Sequence, residues 1–130
     1  MIVIDNDKVL LTYNSEIESV VMVWKGFVKS SEYREIMTKA YETAKLHKAK
    51  NWLSDMTDAK VVTQEDQKWV NEYLIPEGYK IGVKKVGMVL SENVFNEMFA
   101  KKLGANINDF ADHISVGYFY TMHQAEDWVS

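Results

Sequence analysis

Two aspartates, Asp55 and Asp58, close a short apolar run, Asn51-Trp52-Leu53-Ser54, that reads as a buried strand. Open α/β sheets take their ligands at the carboxyl ends of strands. Paired carboxylates there can hold a hard cation or share a proton. No further acid and no glycine-rich phosphate cradle accompanies this pair. An aspartate in a strand-to-helix loop commonly bonds the backbone amides beside it. The spacing therefore predicts a loop-shaping role, with ligand or partner contact as the second reading.

The three histidines, His47, His113 and His123, are scattered. None has the H-x-x-x-H or H-E-x-x-H spacing that places two imidazoles on one metal. Asp112 and His113 are adjacent, but neighbours on an extended chain point to opposite faces and do not form a dyad. No G-x-S-x-G elbow is present. These residues predict no catalytic centre, no metal and no cofactor.

Aromatic and methionine side chains are the other chemical resource. Trp69 and Tyr73, with Tyr33, Met37, Tyr41 and Phe99 elsewhere, fall at helical spacing. Such a set either fills a core or walls an apolar pocket, and helical spacing favours the core. Methionine adapts to irregular shapes, so a pocket of ~300 Å³ or more is the mark of the ligand-binding alternative. Trp69 and Tyr73 join Asp55 and Asp58 as the residues expected at a ligand or partner site.

The elements that would position these groups follow from periodicity. Val9–Tyr13 and Val20–Trp24 alternate as strands around the turn-prone Asn14-Ser15, after an extended stretch at Ile2-Val3-Ile4. Ser30-Ser31-Glu32 offers N-cap chemistry to a helix whose apolar face is Tyr33, Ile36, Met37, Ala40, Tyr41 and Ala44. Thr63 with Asp66 resembles a capping box opening a second helix. Its inward face is Trp69, Val70, Tyr73 and Leu74, and Pro76-Glu77-Gly78 is expected to stop it. Lys85–Leu90 is the next strand. A third helix carries Val94, Phe95, Met98, Phe99 and Leu103 inward and ends at Gly104. Ile114–Tyr120 is the last strand, and Thr121 opens a final helix with Ala125, Trp128 and Val129. Strands separated by helices imply parallel crossovers. The expected fold class is a single-domain α/β chain with a mixed, mainly parallel sheet, in the order β-β-α-β-α-β-α-β-α.

Composition narrows the setting. The 130 residues suit one domain, and 47% hydrophobic content argues for a filled interior. With no cysteine, disulfide and thiolate chemistry are excluded. The amino-terminal residues predict no secretory leader and no stretch reaches the ~20 apolar residues of a membrane span, so a cytoplasmic protein is expected. A net charge of −4 disfavours nucleic acid as a partner.

Several local features resemble the SpoIIAA-like, or STAS-like, domains. Val23-Trp24-Lys25-Gly26 followed by Ser31-Glu32-Tyr33-Arg34 is similar to their strand, glycine and helix start. Trp52-Leu53-Ser54-Asp55 resembles their aspartate-ended strand, and Trp69 falls in the helix after it. Lys85-Val86-Gly87-Met88-Val89 resembles a K-x-A-x-V strand with Gly87 in the alanine place. Gly117-Tyr118-Phe119 with Ala125-Glu126-Asp127-Trp128 is similar to the closing strand and helix. The resemblance implies a helix-covered sheet without a catalytic centre, acting in protein regulation or holding a small apolar ligand. In antagonists of anti-sigma factors with this fold, a serine after the third strand is a phosphorylation switch. Here that stretch offers only Thr57 and Thr63, and Thr63 is accounted for as a helix N-cap. The expectation is a non-enzymatic regulatory or protein-interaction module, with a protein partner or a homodimer. A carrier or sensor of a small apolar, lipid-like ligand is the alternative.

Overall fold

The computed structural model describes residues 1–60 and 62–130; Val61 lies outside the described residues. Six strands form one sheet in chain order: β1 (Ile2–Asp5), β2 (Val9–Asn14), β3 (Ser19–Trp24), β4 (Asn51–Asp55), β5 (Lys85–Val89) and β6 (Ser115–Phe119). The β1, β2 and β3 pairings are antiparallel, and β3 to β6 are parallel. The single-domain α/β fold with a mixed sheet is therefore present. Its order begins β-β-β, not β-β, because Ile2-Val3-Ile4 pairs with β2. Four residues are too few to declare a period by themselves, and only the neighbouring strand makes them one.

Alternation decides the faces. Val9, Leu11 and Tyr13 of β2 and Val20, Met22 and Trp24 of β3 are all buried on one side. Helices α1 (Ser30–His47), α2 (Gln64–Trp69), α3 (Ile75–Ile81) and α4 (Val94–Phe110) contribute to the core on that side. Each parallel crossover advances one strand in the same direction, and crossovers of one hand put their helices on one face. The last helix, α5 (Met122–Val129), closes a smaller core on the other face, around Leu53, Val89, Ala125 and Val129.

Four local expectations are corrected. The Ser30-Ser31 pair does not cap α1: the N-cap is Lys29, without a side-chain bond, and the Ser30 hydroxyl reaches across to Asp66. Pro76-Glu77-Gly78 does not end the second helix. A π-helical turn, Val70–Leu74, joins α2 to α3 in a continuous rod that stops at Gly82, which takes the left-handed conformation. Pro76 lacks the N–H that an α-helix needs there, and the wider turn meets this by bonding Ile75 N–H to the Val70 carbonyl. Gly78 lies inside the rod because the Tyr41 hydroxyl sits 3.0 Å from where its Cβ would be.

Tyr73, expected inward, points outward and is 61% exposed. Finally, α4 continues past Gly104 to Phe110, and Val94, Phe95 and Met98 lie outside. Its buried stripe is Asn96, Phe99, Ala100, Gly104 and Ile107. Asn93 caps α4 by accepting from the Phe95 and Asn96 amides, while Asn96 is buried and donates to the Ala59 carbonyl at 2.6 Å. A polar residue on the core face and apolar ones beside it rotated the face read from sequence. A methyl group at Gly104 would run into the Tyr118 phenol, which packs where the side chain is missing.

Candidate functional site

The α2–α3 rod runs from the carboxyl end of β4 back towards the amino end of β5 and leaves a crevice beneath it. Two chambers make up this crevice, each of about 80 Å³, and both are walled by Met37, Trp52, Val86 and Leu103. The more polar chamber lies between Trp24, Tyr33, Ser54, Lys60 and Asp66. The apolar one runs under Val70, Leu74, Ile75 and Gly78 to Ile107 and Ile114. Its one hydroxyl, on Tyr41, is spent on the Leu74 carbonyl at 2.6 Å. The crevice is thus polar at one end and apolar at the other.

Asp66 organises the polar end. Its carboxylate is 2% exposed and holds two partners from α1: Ser30 Oγ donates to Oδ2 at 2.9 Å and Arg34 Nε donates to Oδ1 at 3.3 Å. The Asp66 amide donates to Thr63 Oγ1 at 3.2 Å, completing the N-cap of α2. A buried carboxylate needs such partners to repay its lost hydration. The Arg34 guanidinium also lies 5.3 Å from the centre of the Trp69 ring. Tyr33 stacks on Trp24 at 5.4 Å, and Trp24 Nε1 donates to Ser54 Oγ at 3.2 Å. Burial, with the Asp66 charge beside it, pushes the Tyr33 phenol well above its ordinary range. Burial does the same to Tyr41, helped by Glu77. Both remain neutral O–H donors at ordinary pH.

The residues expected from sequence fall in three places. Asp55 ends β4 on the α5 side, and its Oδ1 accepts from both the Thr57 amide at 3.0 Å and the Thr57 hydroxyl at 2.6 Å. Asp58 is exposed in the following loop. Neither aspartate lines the crevice. Trp69 is half-buried beside Arg34 and edge-on to Tyr33, against the wall of the site. Tyr73 is on the outer side of the π-helical turn. Among the described residues no cluster of three or more His, Asp or Glu side chains is arranged to hold a metal ion.

Asp66, Ser54 and Lys60 were not expected at a site, and Tyr33 belonged to the aromatic set read as core or pocket wall. Asp66 read as the partner of Thr63 in a capping-box-like helix start. Its partners Ser30 and Arg34 lie 36 and 32 residues earlier, beyond any local pattern. The one usable signal was Ser54, a hydroxyl following the apolar Trp52-Leu53 pair in β4.

Compared with known proteins, the chain matches no protein-family model and no curated protein. Among the described residues no helix is long and apolar enough to cross a membrane.

Proposed function

We propose that this chain is a non-enzymatic module that binds a small apolar ligand in the crevice beneath α2 and α3, as a carrier or sensor. The observation that carries this reading is the polarised crevice, with hydrogen-bonding side chains gathered at one end and an apolar chamber at the other. Ligand sites are mostly apolar with a few convergent polar groups. Its volume falls short of the ~300 Å³ of a typical ligand chamber. A cavity of ~150 Å³ takes a benzene ring, so this crevice suits a slender, short molecule. The π-helical turn supports the reading further, since such turns recur at functional sites. Membership of the SpoIIAA-like domains is part of the proposal, supported by the helix-covered sheet and by Asp55 closing β4.

Native mass spectrometry and thermal shifts with short-chain alcohols, acids and amines test the reading. Bound mass and a raised melting temperature are expected, and both are lost in Met37→Trp, which fills the wall shared by the chambers. No binding by any of the three classes would end the proposal.

A second reading, a protein-interaction module forming a homodimer, rests on one further observation. Val94, Phe95 and Met98 are exposed together at the start of α4, Phe95 to 67%. Isolated apolar residues need no explanation, but a grouped set marks a contact surface. Sedimentation should show a dimer that Phe95→Asp with Met98→Asp makes monomeric. A monomeric parent protein removes this reading.

A further inference from the structure

The functional groups left free at the polar end of the crevice specify the head of the ligand, on the reading that the crevice binds one. Ser54 Oγ accepts from Trp24 Nε1 and keeps its proton to donate. Among the described residues the Tyr33 hydroxyl has no hydrogen-bond partner, and burial keeps it protonated. Lys60 lines this end, exposed, and among the described residues no carboxylate lies within 4.0 Å of its ammonium group. Among the described residues Asp66 is the one acid there, and each of its oxygens already accepts from Ser30 or Arg34.

The groups with protons still to donate are therefore three hydroxyls, on Ser54, Tyr33 and Thr63, whose Oγ1 accepts from the Asp66 amide, together with the Lys60 cation. An ammonium head would lie beside the Lys60 charge, while the Asp66 charge is already matched by Arg34. A head with two charges, such as a phosphate monoester, would bring its second charge towards the Asp66 carboxylate. A single carboxylate accepts hydroxyl protons and pairs with the ammonium group. Beyond it the apolar chamber offers, among the described residues, no free polar side chain, so the rest of the molecule is hydrocarbon.

We propose that the crevice selects a short aliphatic monocarboxylate, its head between Lys60, Ser54 and Tyr33 and its tail under Val70, Leu74 and Ile75.

The test uses the full chain and three probes of equal length: octanoate, octanol and octylammonium. Trp24 and Trp52 line the crevice, so their emission reports occupancy. Octanoate is expected to bind about tenfold more tightly than octanol, with octylammonium weakest; tenfold corresponds to about 1.4 kcal/mol. Lys60→Met should bring octanoate down to the level of octanol and leave octanol unchanged. Because Lys60 is exposed, an unaltered melting temperature checks that the variant is folded. Equal affinities for octanoate and octanol in the parent protein would overturn the head assignment while leaving apolar-ligand binding in place. So would an equal loss of both probes in Lys60→Met. If none of the three probes binds, the underlying reading fails with it.

Discussion

The Tyr41 hydroxyl donates a 2.6 Å hydrogen bond to the main-chain carbonyl of Leu74, beside the missing side chain of Gly78. This bond fastens α1 to the rod where Pro76 has interrupted the helical ladder. Tyr41→Phe should cost about 0.5–1.5 kcal/mol of stability, as loss of one neutral hydrogen bond does. Hydrogen exchange should quicken across residues 70–81 more than in the strands. Unchanged exchange there would show that the rod does not depend on this contact.

The buried and exposed acids that face Arg34 should behave differently. Asp66→Asn removes a desolvated charge with two partners and is expected to cost about 1–3 kcal/mol. Glu65 approaches Arg34 only at 3.8 Å and is 81% exposed. Glu65→Gln should fall within about 0.5 kcal/mol of the parent. Urea denaturation of both variants gives the comparison, and equal effects would contradict the role given to Asp66.

Stability should decline at alkaline pH. Tyr33 and Tyr41 ionise near 10.0 in the unfolded chain and higher in the folded one. Below that value both states keep the protons and nothing is lost. Above it the unfolded chain releases protons that the folded protein retains, so unfolding gains about 1.4 kcal/mol per pH unit for each phenol. Denaturation midpoints measured on either side of pH 10 should show this slope, reduced in Tyr33→Phe. A slope that Tyr33→Phe leaves untouched would count against the burial of this phenol.

Lys48 ends α1 in the left-handed conformation, at φ 53°. A lysine there bears a steric cost that glycine avoids. Lys48→Gly is expected to raise stability by about 0.5–1 kcal/mol, read from the thermal midpoint. A lower midpoint would mean that the lysine side chain contributes more than its backbone costs.

Gly87 faces the α5 side of the sheet, where a Cβ would lie 2.7 Å from Leu53 and 3.6 Å from Trp128. Leu53 is fully buried and cannot swing clear. Gly87→Ala should destabilise by about 1–3 kcal/mol through overpacking. A neutral outcome would show that Leu53 has room to move.

The sequence by itself determined the elements that carry their own period or cap. The Val9–Tyr13 and Val20–Trp24 alternation, the apolar stripe of α1 and the Thr63 cap could be read because each depends on residues within a few positions. Tertiary structure decided the rest. Pro76 and Gly78 spell a stop to any local rule, yet Tyr41 and a π-helical turn carry the rod through them. Gly104 spells a helix end, yet it is the place where Tyr118 packs. The polar end of the crevice was hidden for the same reason: Ser30, Arg34, Ser54 and Asp66 share no local spacing. Only the tertiary fold, by bringing α1 and α2 side by side, gives the carboxylate partners strong enough to keep it buried.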